Sequence, residues 1–387
     1  MYRIQLFNKI SPSGLAMLDK KHYDCGEEME NPDGIIVRSA GMHDTVLPAS
    51  VRGIARAGAG VNNIPVDRCS ENGVVVFNTP GGNANAVKEL TIAGLLLSAR
   101  KLFPSMEWAQ TLKGEGDAVP GLVEKGKGKF VGPELQGKKL GVIGLGAIGV
   151  MVCNTARHFG MEVYGYDPYL SVDTALKLSR SVKNASSLQE VYESCDFITL
   201  HVPLTKDTKG MINSQSIANM KHGVRVLNFS RGELVVNEDI IAALDEKQVY
   251  CYITDFPNDE LLGHKGVIAL PHLGASTPES EVNCANMAAL QLKDFLETGN
   301  IKNAVNLPDI QVPYDPSRTR LTIFHRNVPN MISPIAATAA GSNIHHLTNN
   351  SKGAYAYTVM DLDSGVIPDI MEKLRAIDGV IRVTQVQ

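Results

Sequence analysis

The stretch Lys139-Leu-Gly-Val-Ile143-Gly144-Leu-Gly146-Ala-Ile-Gly149 decides the fold of this chain. A compact apolar strand runs directly into three glycines, and a helical pattern follows them. The first glycine makes a tight turn, the second lets the backbone approach a pyrophosphate, and the third lets helix and strand pack closely. The free N–H groups of the helix N-terminus favour an anion. The pattern therefore predicts a βαβ unit that binds a dinucleotide.

A carboxylate completes this predicted unit. The strand after the helix, Glu162–Tyr166, runs into Asp167, at about the twenty-residue spacing expected of dinucleotide folds. A carboxylate there accepts hydrogen bonds from a ribose 2′-hydroxyl and repels a 2′-phosphate. The sequence therefore favours NAD over NADP. The alternative is a glycine-rich turn that binds no nucleotide, but strand, helix and aspartate together oppose it.

Strand-like and helical patterns alternate on both sides of this unit, as in doubly wound parallel sheets. The downstream strands are predicted at Phe197–Val202, Val224–Phe229, Val249–Asp255 and Val267–Leu270. The upstream strands are predicted at Arg3–Phe7, Gly34–Val37, Val51–Ala55 and Val74–Phe77. Two helices are predicted at Glu89–Leu102 and Ser280–Glu297, and an exposed loop at Lys113–Gly132. The fold class is therefore α/β with two Rossmann-like, doubly wound domains.

The C-terminal residues begin a different pattern. Leu307–Ser317 contains three prolines and predicts a linker. Beyond it the predicted elements are, in order, the strand Leu321–Phe324, the helix Met331–Ala340, the strands Ile344–Thr348 and Tyr355–Leu362, the helix Ile367–Ile377 and the strand Val380–Val386. This β-α-β-β-α-β order predicts a small ferredoxin-like domain.

Size and composition exclude several classes of protein. The chain has 387 residues, and a single core rarely exceeds ~250–300 residues. The net charge of −4 opposes non-specific nucleic-acid binding, and the longest nearly apolar run, Leu90–Ala99, is too short to span a membrane. The start MYRIQLFNK has no signal-peptide core, and the six cysteines show no zinc spacing. We expect a cytoplasmic protein with reduced thiols and no metal, nucleic-acid or membrane partner.

Three polar side chains follow predicted strands downstream of the glycines. Arg231, Glu260 and His272 lie at loop positions, where doubly wound sheets bind ligands. A guanidinium can hold a carboxylate bidentately, and a neutral imidazole can accept a hydroxyl proton as hydride leaves the carbon. A carboxylate behind the imidazole would stabilise its charged form. Each residue alone could be a solvated surface group, but together they fit the oxidation of a 2-hydroxy acid.

The motifs resemble those of the D-2-hydroxyacid dehydrogenases over nearly the whole chain. In the second half these are the glycine turn with its aspartate, Ser230–Val235, Thr254–Glu260 and Pro271–Thr277. In the first half, Ile36–Ala40, Arg56–Asn62 and Asn78–Asn83, leading into Lys88–Leu90, resemble the substrate-domain motifs of the phosphoglycerate-oxidising branch. The C-terminal unit resembles an ACT domain, a regulatory amino-acid-binding module.

The resemblance implies roles for individual residues. Arg231 would anchor the substrate carboxylate, His272 would be the base, and Glu260 would be its partner, with Asp259 as the alternative. Asp255 would hold the nicotinamide carboxamide. The other implied cofactor contacts are Gly144, Gly146, Ala147, Ile148, Gly149, Asp167, Pro168, His201, Val202, Pro203, Thr208, Phe229, Ser230 and Gly274. The implied substrate contacts besides Arg231 and His272 are Arg38, Ser39, Arg56, Gly60, Val61 and Asn83.

The resemblance also implies a domain plan and a reaction. Residues 1–100 and 278–310 would form a discontinuous substrate domain, 101–277 the NAD domain and 318–387 the ACT domain, with substrate and cofactor meeting between the first two. The reaction would convert D-3-phosphoglycerate to 3-phosphohydroxypyruvate with NAD, the first step of L-serine biosynthesis. L-serine would bind His325, Asn327 and Asn343 as an effector, the last across the interface of a homodimer or homotetramer. The ACT domain could instead be purely structural.

Other readings of the sequence stay open. A sister enzyme acting on glycerate, hydroxypyruvate or D-lactate would share the same three catalytic residues. An NAD(H)-sensing binding protein of the co-repressor kind is a further alternative. The lysine-rich run Lys125–Lys129 is expected to be solvated, although it could reach a neighbouring subunit.

Overall fold

The computed structural model describes residues 1–363, 365 and 368–386. The chain divides into two compact units. One unit contains Met1–Asn83 together with the described residues from Pro278 onward, and the other contains Ala84–Thr277. The sequence prediction placed residues 84–100 with the first unit, whereas their contacts assign them to the second.

The N-terminal part of the first unit is a five-stranded parallel sheet of order β2-β1-β3-β4-β5. Its elements are β1 (Tyr2–Phe7), α1 (Pro12–Leu15), β2 (Tyr23–Gly26), β3 (Gly34–Val37), β4 (Gly53–Arg56), α2 (Val66–Glu71) and β5 (Val75–Phe77). The sequence analysis missed β2, whose four residues Tyr-Asp-Cys-Gly lack an apolar pattern. β3 and β5 are buried throughout, as expected of strands in a parallel sheet covered on both faces.

The second unit is built on a seven-stranded parallel sheet of order β12-β11-β10-β9-β6-β7-β8. Its helices are α3 (Ala84–Arg100), α4 (Leu102–Gln110), α5 (Val119–Gly126), α6 (Ala147–Ala156), α7 (Val172–Lys177), α8 (Leu188–Ser194), α9 (Ser214–Ala218) and α10 (Asn237–Asp245). Its strands are β6 (Lys139–Ile143), β7 (Glu162–Tyr166), β8 (Lys183–Asn184), β9 (Phe197–Leu200), β10 (Val224–Asn228), β11 (Val249–Thr254) and β12 (Val267–Ala269). From β6 the chain adds β7 and β8 on one side of the sheet and then β9, β10, β11 and β12 on the other. Such sheets bind ligands in the crevice where the strand order reverses in this way.

The predicted loop Lys113–Gly132 is wrong. It contains α5 flanked by two short 3-10 turns, Gly116–Ala118 and Lys127–Phe130. A Cβ at Gly126 would lie 2.2 Å from the ring of Trp108, and that ring also packs against Phe130 at 5.3 Å. Gly126, one of the glycines that suggested a loop, therefore allows close packing against an aromatic ring.

The chain returns to the first unit with a long helix and a second sheet. The elements are α11 (Pro278–Thr298), β13 (Thr319–Arg326), α12 (Ile332–Thr338), β14 (Ile344–Lys352), β15 (Tyr355–Leu362), α13 (Pro368–Arg375) and β16 (Val380–Gln385). The sheet is antiparallel, with the order β14-β15-β13-β16. The predicted β-α-β-β-α-β succession is observed. The predicted start of the last helix, Ile367, lies outside the described residues.

The C-terminal sheet and the N-terminal sheet of this unit share one apolar core. Phe324 and Tyr357 belong to the same buried cluster as Ile4, Phe77 and Leu292. The other face of the C-terminal sheet packs against α12 and α13 in a separate apolar cluster. The predicted linker is not an exposed tether, because its apolar side chains are buried in the shared core; these are Leu307, Ile310 and Val312.

Candidate active site and its relatives

The glycine turn of the second unit leaves no room for side chains at two positions. A Cβ at Gly144, whose φ is +93°, would lie 2.5 Å from the carbonyl oxygen of His201. A Cβ at Gly149 would lie 1.9 Å from the carbonyl oxygen of Gly144. Gly146 caps the N-terminus of α6 and has no described neighbour within 4 Å of its Cβ position. This is the tight turn, the close packing and the open approach that a pyrophosphate requires.

Asp167 lies at the end of β7, next to this turn. Its Oδ2 accepts a hydrogen bond from the backbone N–H of Leu145 at 2.9 Å, and its Oδ1 accepts one from Tyr169 N–H at 2.9 Å. Each carboxylate oxygen can accept a further hydrogen bond. The side chain is therefore held in place and keeps acceptor capacity for a ribose, so its cofactor role stays a prediction.

The segment after β9 carries a half-buried histidine, His201. Its Nε2 atom lies 3.1 Å from Thr199 Oγ1, whereas its Nδ1 atom is buried and has no partner among the described residues. Burial lowers the pKa of His201 to about 3, so the ring stays neutral. The adjoining predicted contacts are Val202, Pro203 and Thr208, whose hydroxyl donates to the Pro203 carbonyl at 2.6 Å.

A buried asparagine, which the sequence analysis missed, organises the turn after β10. Asn228 donates through Nδ2 to the carbonyl of Arg231 at 2.8 Å and accepts from Ser230 N–H through Oδ1 at 3.2 Å. Ser230 donates its hydroxyl to the Leu200 carbonyl at 2.6 Å, and Phe229 is buried. The only available signal was an amide residue at the end of an apolar strand, in a motif that already contained a more conspicuous arginine.

Asp255 forms the floor of the site at the end of β11. The side chain is 1% exposed and its Oδ2 accepts from Gly274 N–H at 3.1 Å, whereas its Oδ1 is buried and has no partner within the described part of the chain. Burial raises the pKa of Asp255, while the nearby charges of His272 and Arg231 act in the opposite direction. Three predicted residues from separate loops are therefore brought together. The unpaired oxygen fits an amide donor such as the carboxamide of a nicotinamide.

His272 is exposed and held by its backbone. Its N–H donates to the Asp255 carbonyl at 3.0 Å, and its ring lies 4.7 Å from the ring of Phe256. Its φ of +47° is uncommon for a residue other than glycine. Such conformations persist where the surroundings enforce them, often at functional sites.

The predicted pairing of His272 with a carboxylate is not formed. Glu260 is exposed, and its Oε2 accepts a hydrogen bond from Asn237 Nδ2 at 2.8 Å. Within the described part of the chain, no hydrogen bond or ion pair joins His272 to Glu260 or to Asp259. The loop after β11 turns the glutamate towards the start of α10, a local preference that motif spacing does not reveal.

The two arginines of the first unit that were predicted to contact the substrate lie at the ends of neighbouring strands. Arg38 follows β3 and forms an ion pair with Glu281 of α11. Arg56 ends β4 and donates through Nε to the Arg38 carbonyl at 3.1 Å. Ser39 N–H donates to Asn8 Oδ1 at 3.0 Å. These two arginines are thus adjacent, as predicted, but each is already engaged within the chain.

The turn that contains the other predicted substrate contacts, Gly60 and Val61, is half-buried. It is held by Asn78, whose Nδ2 donates to the Ala59 carbonyl at 2.6 Å. Asn83 is half-buried and ends the first segment of the unit. The backbone of this turn therefore has a fixed position relative to the loop after β5.

The predicted effector residues do not form one site within the chain. His325 is 1% exposed, its Nε2 lies 3.0 Å from both Asn349 Oδ1 and Thr358 Oγ1, and its Nδ1 lies 2.9 Å from the Arg326 carbonyl. The ring therefore has no free nitrogen for an effector, contrary to the prediction. It lies within the inner strand β13 because that strand continues to Arg326 instead of ending at Phe324.

The two effector asparagines are exposed at opposite ends of the sheet. Asn327 donates through Nδ2 to the Gly353 carbonyl at 3.0 Å, and Asn343 donates through Nδ2 to Asp363 Oδ2 at 3.0 Å. The register pairs Arg326 with Tyr355 and Ile344 with Leu362. The two asparagines are thus separated by the length of the sheet, about 25 Å at the usual rise per residue.

This chain resembles known proteins in sequence and in fold. A family model described as "D-isomer specific 2-hydroxyacid dehydrogenase, NAD binding domain" matches residues 93–274. The D-3-phosphoglycerate dehydrogenase of Bacillus subtilis is 34% identical over 333 residues, which are 80% of this chain and 59% of that protein. The chain is thus similar to D-2-hydroxyacid dehydrogenases, and the family match covers most of the second unit. The glycine turn, Asp167 and the Oδ1 atom of Asp255 in that unit fit NAD.

Two further relatives extend the comparison. The D-3-phosphoglycerate dehydrogenase of Methanocaldococcus jannaschii is 37% identical over 293 residues, which are 73% of this chain and 53% of that protein. The crystal structure of the NAD⁺-bound 3-phosphoglycerate dehydrogenase of Entamoeba histolytica superposes with a TM-score of 0.61 and 27% identity, covering 79% of this chain and 98% of that one. The chain spans between half and three fifths of the length of these curated relatives.

The lysine-rich run and the possibility of a membrane-spanning helix remain to be described. The run Lys125–Lys129 lies at the end of α5 and in the turn that follows, where Lys127 forms an ion pair with Glu124. None of the helices in the described ranges is long and apolar enough to cross a membrane.

Proposed function

We propose that this chain oxidises D-3-phosphoglycerate to 3-phosphohydroxypyruvate with NAD, the reaction that opens L-serine biosynthesis. The observation that carries the proposal is the grouping of Arg231 and His272 beside Asp255, after strands of the same parallel sheet that carries the dinucleotide turn. The printed names of the curated relatives support the choice of substrate.

Each residue has a separate task in this reaction. The guanidinium of Arg231 would hold the substrate carboxylate with two parallel hydrogen bonds and fix the orientation of C2. The neutral ring of His272 would accept the proton of the C2 hydroxyl. NAD, when bound, supplies the acceptor for the hydride that leaves C2. The unpaired Oδ1 of Asp255 would accept a hydrogen bond from the cofactor carboxamide and orient the ring.

Glu260 would become the partner of His272 only after a loop movement. Its hydrogen bond to Asn237 has to break first, and such bonds often tighten or rearrange only in the complex with substrate. Replacing Asn237 with Ala removes the competing partner. If Glu260 serves His272, this variant should retain activity and its pH profile should still depend on Glu260. If Asp259→Asn moves the profile and Glu260→Gln does not, the role belongs to Asp259.

The phosphate would be held by Arg38 and Arg56 together with the backbone of the turn at Gly60 and Val61. Two guanidiniums on adjacent strand ends suit a dianion. The ion pair between Arg38 and Glu281 favours a second candidate, because a committed arginine is less available to a phosphate. That candidate is an enzyme that oxidises an unphosphorylated 2-hydroxy acid such as glycerate or D-lactate, or that reduces hydroxypyruvate in the reverse direction.

The deciding experiment compares substrates at equal concentration. NADH formation should be at least about a hundredfold more efficient with D-3-phosphoglycerate than with D-glycerate or D-lactate, since two charge-assisted contacts depend on the phosphate. Replacing Arg56 with Gln should abolish that preference and leave glycerate turnover unchanged. A preference for glycerate would favour the second candidate. NAD binding without turnover of any of these acids would favour an NAD(H)-sensing protein instead.

The C-terminal sheet would be an ACT-type regulatory module in a cytoplasmic homodimer or homotetramer. Its strand order is that of the ferredoxin-like arrangement. L-serine would bind between subunits, with Asn327 from one copy and Asn343 from the other, because they lie at opposite ends of the sheet in one chain. The test is inhibition by L-serine in the wild type and in Asn327→Ala. Equal inhibition of both would remove Asn327 from the effector site.

A further inference from the structure

The ion pair between Arg38 and Glu281 joins the end of β3 to the first turn of α11, within the first unit. The two side chains are 41% and 43% exposed, and ion pairs with that much solvent around them contribute little to stability. The helix is held to the sheet by its buried apolar face, which includes Ala285 and Leu292. The fold therefore does not depend on this pair.

The backbone at Arg38 is held by its neighbours, so the side chain is the part that can change partner. Arg56 Nε and Asn63 Nδ2 donate to the Arg38 carbonyl at 3.1 and 3.4 Å. The next residue, Ser39, donates its N–H to Asn8 Oδ1 at 3.0 Å. A phosphate that reaches this strand end therefore has to take the Arg38 guanidinium from its present partner.

The space beside the ion pair is small. A cavity of about 20 Å³ has Lys9, Ser11 and both members of the pair in its wall. That volume holds about one water molecule, which is enough for a hydroxyl group but too little for a phosphate group. The paired arrangement of Arg38 and Glu281 is therefore closed to a phosphate, which fits only after the carboxylate moves away.

Charge acts in the same direction as space. A phosphate bound to Arg38 would lie close to the Glu281 carboxylate, and like charges at such a separation repel each other. The carboxylate also lies in the first turn of a long helix, where the positive end of the helix dipole favours an anion. The carboxylate and a phosphate therefore compete for one guanidinium and one helix end.

We propose that Glu281 determines how strongly this site prefers a phosphorylated over an unphosphorylated 2-hydroxy acid. Its carboxylate takes the place of the substrate phosphate on Arg38, so it weakens the binding of the phosphorylated acid, and the remaining space suits a hydroxyl group. The inference rests on the proposed function, in which Arg38 contacts the substrate. Glu281 acts on the choice of substrate through Arg38 and takes no part in the chemical step.

The first test measures anion binding without turnover. Inorganic phosphate and D-3-phosphoglycerate are titrated by calorimetry into the full-length chain saturated with NADH. Glu281→Gln should bind both about tenfold more tightly than the wild type, because it removes the competing charge and keeps the size of the side chain. The gain should shrink at high ionic strength, since salt screens exposed charges. Glu279→Gln, an exposed residue in the same turn of α11, should bind both anions like the wild type.

The second test determines whether the effect acts through Arg38. In the Arg38→Gln background, adding Glu281→Gln should change the affinity for phosphate by less than about twofold, because the contested guanidinium is absent. In steady-state kinetics, Glu281→Gln alone should lower the KM for D-3-phosphoglycerate about tenfold with little change in kcat, as expected for a change in ground-state binding. The preference for D-3-phosphoglycerate over D-glycerate should rise by a similar factor.

Three results would overturn the inference. Weaker phosphate binding in Glu281→Gln would mean that the carboxylate orients Arg38 for the phosphate. Unchanged binding would mean that it has no part in the choice, and equal tightening in Glu279→Gln would reduce the effect to net charge. A wild type that oxidises D-glycerate but not D-3-phosphoglycerate, together with tighter phosphate binding in Glu281→Gln, would refute the proposed substrate and support this inference.

Discussion

The parallel sheet of the second unit and the antiparallel C-terminal sheet differ in whether their buried side-chain polar atoms have hydrogen-bond partners. At the carboxyl edge of the parallel sheet, His201 Nδ1 and Asp255 Oδ1 are buried and find no partner in the residues that the structure describes. In the described part of the C-terminal sheet, no buried side-chain polar atom lacks a partner. Burying a polar group without a hydrogen bond is costly. The unpaired groups therefore mark a place where a ligand completes the structure, and the paired groups mark a place where the fold is already complete.

Arg320 is the clearest example of a buried side chain whose hydrogen-bonding groups all have partners. It is 1% exposed, and its guanidinium makes a bidentate pair with Asp361 at 2.7 and 2.8 Å. The remaining N–H groups donate to the carbonyls of Thr298, Val312 and Pro313. All five donors are used, so this arginine connects the sheet to the end of α11 and the segment after it. It has no capacity left for an anionic ligand.

The largest effect is expected at Arg231, on the ligand-binding side of this comparison. Arg231→Lys should lower kcat/KM by about 10²–10⁴, because an ammonium cannot reproduce two parallel hydrogen bonds or the orientation they impose. NAD affinity, measured by fluorescence titration, should stay within about threefold of the wild type, since the change leaves the dinucleotide turn intact. Activity within about tenfold of the wild type would mean that another residue anchors the carboxylate.

The next largest effect is expected at Asp361, in the C-terminal sheet, where the buried polar groups are paired. Asp361→Asn should lower the free energy of unfolding by about 3–5 kcal/mol, because it leaves the buried charge of Arg320 unpaired. Replacing both partners, as Arg320→Met with Asp361→Leu, should recover much of that loss. Denaturant titration measures both. A stable single variant would show that the carbonyl contacts of Arg320 suffice without the carboxylate.

The same substitution at Asp255 should have the opposite outcome for stability. Its pKa is raised by burial, so the folded state loses stability as pH rises through the range between the ordinary and the raised pKa. Asp255→Asn removes that cost and should leave the melting temperature at neutral pH unchanged or higher. NAD affinity should fall about tenfold, since an amide is a weaker acceptor than a carboxylate. A lower melting temperature would show that the Asp255 carboxylate stabilises the fold, as Asp361 does.

The smallest effect concerns His201 and appears only with acid. Its folded pKa, lowered to about 3, lies below the ordinary value of 6.5. Protonation therefore favours the unfolded chain, and stability should fall as pH decreases from 6.5 towards the folded pKa, by at most about 1.4 kcal/mol per pH unit. His201→Asn should flatten this dependence between about pH 6.5 and 5. Parallel curves for the two proteins would show that the ring is accessible to protons and solvent.

Sequence reasoning succeeded where chain-local patterns dictate structure. The glycine turn, its strand and its helix follow from steric requirements within one short stretch, and the apolar runs of the parallel sheets are long enough to be recognised. Arg231, Asp255 and His272 could be placed together because the carboxyl ends of parallel strands share one edge. These are consequences of topology, which requires no knowledge of side-chain orientation.

Other features depend on tertiary contacts that the pattern does not contain. Thr319–Arg326 has buried residues on both faces, so its alternation does not reveal that Arg320 and His325 point into the interior. Glu260 has the expected spacing, yet its direction depends on Asn237 at the start of helix α10. Gly126 suggested a loop because nothing in the sequence shows that Trp108 lies against it.

The division of the first unit between both ends of the chain has a consequence for its synthesis. The strands β1–β5 leave the ribosome early, but α11 and the C-terminal residues that share their core follow only after Ala84–Thr277. At the usual rate of translation these intervening residues take about 10–40 s. For that time the nascent chain presents a parallel sheet with one apolar face uncovered. We expect its early segment to depend on chaperones, and the second unit, which is continuous in sequence, to fold first.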